Sequence, residues 1–427
     1  MSGGAQAEPL PRPIGPTYIS RMEPESDVWV HPELRAAAAA EDWAALLGTW
    51  RKLTRSSQSR LGALVGLAQP DVSAIENRRR VVTSAEVRQR IIDGLGVPLE
   101  LLGARYEDLP LPSLVLPGVV SEADGERLGA VRQGGMRLDA ASVDAMDALL
   151  AAHRRAEDTV GSRTVAPLVL AQFREVAGLY GQARGALADQ VVRLLAEYAQ
   201  FLAWMAQDQD KAPVALGWFD RSYDWALEAG YGDLAATTLS MKAHLAWSGG
   251  RGRRCVRLGE AAASLSGASE ATRAMAVQMA GRGYALAGER DEAYSRLDEA
   301  QRIIAGAVDA PPWLYFYGES WFAAQRGMAD LHLKDWDGAV GNLTSGLAGF
   351  APSFRRDRAW YGSCLAHAYA GAGEAEAALT EALGVIHDAS EVGRPHAWAE
   401  LHKVGAILLR RGAREGRTLV GMLAQLD

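Results

Sequence analysis

The sequence predicts an all-α protein: a small N-terminal module followed by a long helical array. Apolar residues recur at helical spacing from residue 41 onward, and strand-type alternation bounded by hairpin turns is missing from the pattern. Small residues then return at fixed offsets in a unit of about 40 residues. With 427 residues, 48% hydrophobic and 23% charged, the chain can bury two or three domain cores and is too apolar for wholesale disorder.

Residues 1–40 read as a flexible arm with a short helix. Pro9, Pro11, Pro13, Pro16 and Pro24 lie among small polar residues, and Pro32 opens a helix over Glu33 to Ala40. Residues 41–106 alternate apolar helical stripes with very short turns. Residues 107–139 carry Pro110, Pro112, Pro117 and glycines from Gly118 to Gly135, and read as a linker. Residues 140–427 read as helical repeats throughout. Helices over 141–158 and 166–183 are expected to cap one end, and Pro395 to Leu426 to form a sixth unit and the other cap.

Within 41–106, Ser57 can cap a helix starting at Gln58. Leu61, Leu64 and Val65 form its expected buried face, and Gly66 ends it in a tight turn. Leu67, Val72 and Ile75 anchor a second helix on the same core. Two short helices joined this way are a helix-turn-helix, whose second helix suits a major groove.

This run resembles the lambda-repressor-like (XRE) DNA-binding domain, with its pattern S-Q-x-x-L-A-x-x-x-G-V-S-x-x-x-I-S-x-I-E-x-G. Ser57, Gln58, Leu61, Gly66, Ile75 and Glu76 match, with Leu67 and Val72 as apolar equivalents; Gly94 to Leu102 is similar to the family's last helix. The resemblance implies that Arg51 pairs with Glu76 and that Gln58 donates to a phosphate at a helix N-terminus. It places Gln69 at the first base-reading position, where an amide can bond adenine bidentately. Asp71 and Ser73 follow on the exposed side, and Asn77, Arg78, Arg79 and Arg80 leave toward a DNA backbone. Two departures stand out. Ala68 and Pro70 replace the usual capping arrangement, and Gly62 replaces an alanine, which should loosen the helix.

The array resembles tetratricopeptide repeats, in which small residues at repeat positions 8, 20 and 27 let paired helices approach. Position 8 gives Ala203, Ala243, Gly281, Gly327 and Ala366. Position 20 gives Ala215, Cys255, Ala293, Ala339 and Ala378. Position 27 gives Ser222, Ala262, Ala300, Gly346 and, as the one large exception, Val385. The alternative is an alanine-rich bundle in which such matches arise by chance. The resemblance implies an inner groove lined by Gln200, Trp204, Ser240, His244, Gln278, Arg282, Trp321, Trp360 and His367. Apolar bodies with polar tips suit a peptide or an amphipathic small molecule, with Arg282 as the candidate for a carboxylate. The plainer alternative makes the tryptophans core residues and the polar side chains a solvated face.

Charge is asymmetric. Residues 41–105 carry ten Lys/Arg against seven Asp/Glu, whereas the whole chain stands at −7, so one local anionic partner is expected. Cys255 and Cys364 cannot build a zinc cluster or a disulfide framework, and the histidines lack metal-ligand spacing. No phosphate-binding loop, zinc-protease or nucleophile-elbow motif occurs, so neither an enzyme nor a cofactor is expected. Without a signal-peptide pattern or a run long enough to span a membrane, a cytoplasmic location is expected. These readings converge on a sequence-specific transcriptional regulator that binds a palindromic duplex operator as a homodimer. Its repeats would sense a peptide or small-molecule effector, as in actinobacterial regulators with this domain order, which the chain resembles. The alternative is a protein–protein scaffold with a helix-turn-helix tether or antitoxin-like module.

Overall fold

The computed structural model describes residues 28–29, 31–82, 84–97, 119–132, 135–307, 309–392 and 395–426. These residues form twenty α-helices and no strand. Contacts divide the chain into two compact units, Met1–Ser113 and Leu114–Asp427. The expected arm over 1–27 and the family-like ending over 98–102 lie outside the described residues.

The first unit holds α1 (Pro32–Ala39), α2 (Trp43–Leu53), α3 (Gln58–Val65), α4 (Gln69–Glu76) and α5 (Ala85–Leu95). The Asp42 carboxylate caps α2 by accepting from the Ala45 N–H at 3.1 Å. Ser57 caps α3 by accepting from the Arg60 N–H at 3.1 Å, a contact worth about 1 kcal/mol. Gly66 ends α3 at φ 64°, in the left-handed region that favours glycine. Ala68 starts α4 with no side-chain cap, and Pro70 in the first turn has no N–H to leave unsatisfied. Leu34, Leu46, Trp50, Leu61, Val72, Ile75 and Ile91 close into one core.

Two expectations for α3 are corrected. Leu64 is 40% exposed, because the buried face runs through Leu61, Gly62 and Val65 instead. Gly62 is not a loosening substitution. A Cβ there would lie 2.4 Å from the Leu67 carbonyl oxygen, so the turn into α4 passes too close for a side chain.

The second unit holds α6 (Glu122–Arg132), α7 (Ala140–Val160), α8 (Ser162–Tyr180), α9 (Ala186–Asp208) and α10 (Ala212–Glu228). It continues with α11 (Gly232–Ser248), α12 (Gly252–Ala263), α13 (Glu270–Leu286), α14 (Arg290–Gly306), α15 (Glu319–Leu333) and α16 (Trp336–Gly349). The last four are α17 (Arg355–Ala372), α18 (Ala375–Glu391), α19 (Pro395–Arg410) and α20 (Arg414–Leu426). A 3-10 turn, Pro312–Leu314, separates α14 from α15. The reading of 107–139 as a linker misses α6, whose Leu128 and Val131 are buried. Its glycines masked a helix with little apolar periodicity.

From α9 to α20 consecutive helices pack in pairs, and α11, α13 and α15, like α17 and α19, also pack on one another. The result is a stacked helical repeat. Ala203, Ala215, Ala243, Cys255, Ala262, Ala293, Ala300, Ala339, Ala366 and Ala378 are all buried between helices. A Cβ on Gly281 would meet Leu297 Cγ at 3.0 Å, and one on Gly327 would meet Leu343 Cγ at 2.7 Å. The Val385 exception is compensated on the facing helix: a Cβ on Gly362 would meet Val385 Cγ1 at 2.5 Å. Small and large have exchanged sides of that contact.

Helices over 141–158 and 166–183 were expected to cap one end of the array. Both α7 and α8 pack on α9 at that end, and α7 reaches further, to α17 and the 3-10 turn. Thr159 Oγ1 donates to the Ser353 carbonyl at 3.2 Å, and a Cβ on Gly161 would meet the Val392 carbonyl oxygen at 2.5 Å. The array therefore curls far enough for α7 to reach both its first and fifth helix pairs.

Candidate nucleic-acid interface and ligand cavity

In the first unit, Gln58 and Gln69 are the first residues of α3 and α4. Arg51 Nε and Nη2 donate to the two Glu76 carboxylate oxygens at 2.7 and 3.2 Å. That fork clamps α2 on the end of α4 and holds the Arg51 guanidinium above its usual range through the Glu76 hydrogen bond. Gln58 Nε2 donates to Glu76 Oε2 at 2.7 Å, and Gln69 Nε2 donates to Gln58 Oε1 at 2.7 Å. The amide expected to reach a phosphate is thus anchored in the free protein.

Asp71 and Ser73 are half-exposed on α4, and Asn77, at its C-terminal end, donates to the Ser73 carbonyl at 2.8 Å. Arg78, Arg79 and Arg80 are exposed. Arg78 pairs with Asp42 at 2.6 Å, an interaction that holds the Asp42 carboxyl below its ordinary range. Arg80 pairs with Asp71. All eight predicted residues therefore lie on α3, α4 or the turn that follows; Glu76 engages Gln58, Asp42 engages Arg78, and Gln58–Gln69, Asp71–Arg80 and Ser73–Asn77 pair within the set.

In the second unit, all nine predicted groove residues line two adjoining cavities of about 260 and 100 Å3, which share Trp204, His244 and Trp360. His367 lines the larger one; Gln200, Ser240, Gln278, Arg282 and Trp321 line the smaller. The polar members are not a solvated face. Gln200, Ser240, Gln278, Arg282 and His367 are buried. The tryptophans are half-buried; Trp321 packs on Phe316, Phe350 and Tyr361. Arg282 stacks on Trp247, its guanidinium carbon 3.8 Å from the ring centroid, and donates to Gln325. His367 pairs with Glu400, and burial pushes the His332 imidazole down.

Sequence reading missed a buried charged cluster in the cavity wall. Arg356, on α17, meets Glu157, Asp158 at 3.2 Å and Asp357 at 2.8 Å. Arg154 on α7 pairs with Glu197 at 3.0 Å. The hydroxyl of Tyr315 donates to Asp158. Burial pushes the Asp158 carboxyl up to about 7, with the Arg356 guanidinium pulling the other way. A signal was present: Arg154 and Glu157 continue the stripe Val143, Met146, Leu150 on the buried side of α7.

The two cysteines are buried, as expected, and burial pushes the Cys255 thiol up to about 12. Among the described residues no group of His, Cys, Asp and Glu could hold a metal ion, and no helix is long and apolar enough to cross a membrane. No family model matches the chain, and no curated protein matches it.

Proposed function

We propose that the protein is a non-catalytic, sequence-specific DNA-binding transcriptional regulator. The first unit is a helix-turn-helix domain of the lambda-repressor-like type, and the second is a tetratricopeptide-like solenoid that takes an effector. The supporting observation is the chain of contacts Arg51–Glu76–Gln58–Gln69. It braces α4 from both ends and leaves Gln69 exposed at the N-terminal end, where recognition helices read base edges. Arg78, Arg79 and Arg80 supply phosphate contacts along the flank. A single copy offers one such helix, so a palindromic duplex would be read by a homodimer.

Fluorescence anisotropy of the full chain with duplexes from the region upstream of its own gene tests this reading. Tight, salt-dependent binding to one segment and weak binding to the rest supports a regulator. Equally weak binding to every duplex at low salt would favour a protein–protein scaffold in which the first unit is only a tether.

A further inference from the structure

The two halves of α7 are held by different chemistry. Val143, Ala145, Met146, Leu149 and Leu150 bury the N-terminal half, whereas the buried residues of the C-terminal half are His153, Arg154, Glu157 and Asp158. That second half lies against α17 and the 3-10 turn, and polar groups fasten it there. Arg356, in the first turn of α17, meets Glu157, Asp158 at 3.2 Å and Asp357 at 2.8 Å. Tyr315 donates to Asp158, and Thr159 Oγ1 donates to the Ser353 carbonyl at 3.2 Å.

The geometry calls for protons in this junction. The Ser162 hydroxyl, at the start of α8, lies 2.6 Å from Glu157 Oε1 and 2.9 Å from Asp208 Oδ2 on α9. It has one hydrogen to give, so the second of these contacts closes only when a carboxyl is protonated and donates to the hydroxyl oxygen. Asp208 also adds to the field at Arg356, so Glu157, Asp158, Asp208 and Asp357 all act on that guanidinium. Buried carboxyls crowded in this way disfavour one another's charge. Burial pushes Asp158 up to about 7 and raises Glu157 as well. The other titratable groups at this end of α7 do not offset this: Arg154 pairs with Glu197, and burial pushes the His153 imidazole down, toward its neutral form.

Buried ionic contacts contribute little net stability, because desolvation offsets their attraction. The helix pairs of the array are held instead by apolar packing through residues such as Leu343, Ala378, Leu401 and Leu419. The α7–α17 junction can therefore part while those pairs stay stacked.

We propose that this junction is a proton-operated latch: with Glu157 and Asp158 protonated the end of α7 is fastened to α17, and their ionisation releases it while the helix pairs of the array remain together. Arg356 also stands over the Trp204 ring, 5.2 Å from its centroid, so the latch shares a side chain with the cavity wall. The latch requires neither DNA nor an effector.

The test measures distances between spin labels in the full chain without DNA, by double electron–electron resonance. Labels on Arg155→Cys of α7 and Ser390→Cys of α18, both exposed, report the junction. Labels on Arg273→Cys and Gln301→Cys, also exposed, report the stacked α13–α14 pair. Cys255 and Cys364 are buried, out of the label's reach. From about pH 6 to about pH 8 the junction pair should gain a longer distance, with the ratio of long to short rising about tenfold per carboxyl released. The α13–α14 pair should keep one distance. Glu157→Gln combined with Asp158→Asn mimics the protonated form and should hold the short junction distance at both pH values; Asp158→Asn alone should lessen the rise. If the double variant does not fold, which the α13–α14 pair would show, the single variant decides. One short junction distance in the wild type at both pH values would overturn the latch. So would broadening of both label pairs together, which marks general unfolding, or a rise in Asp158→Asn equal to that of the wild type.

Discussion

Gln69 donates its side-chain amide to the Gln58 carbonyl oxygen at 2.7 Å, tying the first residue of α4 to the first residue of α3. Gln58 in turn donates to Glu76, which Arg51 holds from α2. Both glutamines are thereby oriented before any partner arrives, which lowers the ordering cost of binding. Gln58→Leu should therefore weaken binding to every duplex, because a phosphate contact and the support for Gln69 are lost together. Anisotropy titrations on a preferred and a random duplex should show losses of similar size.

Under the proposed DNA-binding role, the ion pair of Arg80 with Asp71 would compete with DNA for the guanidinium. Asp71→Asn should tighten binding to random duplex and steepen the slope of log K against log salt by about one. Arg79→Ala should lower that slope by about one. Unchanged slopes in both variants would mean that these arginines do not contact phosphates.

Packing of the fifth helix pair depends on the exchange between Gly362 and Val385. Gly362→Ala alone should destabilise by about 1–3 kcal/mol through overpacking. Val385→Ala added to it should recover much of that loss, a coupling that a double-mutant cycle by chemical denaturation reads directly. Strict additivity would mean that the two side chains do not share the contact.

Asp158 shares its buried site with Arg356, Glu157, Asp357 and Tyr315. Its carboxyl, pushed up to about 7 by burial, stays protonated in the folded protein at a pH where the unfolded chain has released the proton. Stability from this group is therefore complete below its ordinary range near 4 and is lost as pH rises through about 7. Glu157, also raised by burial, acts in the same direction. Asp158→Asn should make the change of stability with pH between about 5 and 7 more positive than in the wild type by up to one proton, at most about 1.4 kcal/mol per pH unit, read as the difference between the two melting profiles. A variant with the wild-type slope would place the titration elsewhere.

Short-range chemistry was the legible part of this chain. Ser57, Gly66 and Pro32 marked helix ends because caps, left-handed glycines and first-turn prolines act within four residues. The small residues from Ala203 to Ala378 marked the paired helices because close approach excludes side chains at fixed spacing. Contacts made across long sequence separations were not legible. Leu64 gave way to Gly62 because of the close turn at Leu67, and α7 reaches α17 as well as the first end of the array because Glu157 meets Arg356 about 200 residues later. The nine groove residues were placed together by repeat arithmetic, but the smaller cavity is also lined by α7 and the turn at Trp313, which that arithmetic did not include.

The central claim is that α4 reads DNA sequence through Gln69. The most direct measurement is selection of bound duplexes from a random library by the full chain, in parallel with Gln69→Ala. Wild type should enrich an inverted repeat with half-sites about one helical turn apart, and Gln69→Ala should bind that repeat about 1–3 kcal/mol more weakly with relaxed preference in each half-site. Enrichment of no sequence by the wild type, or of the same repeat with the same affinity by both proteins, would contradict it.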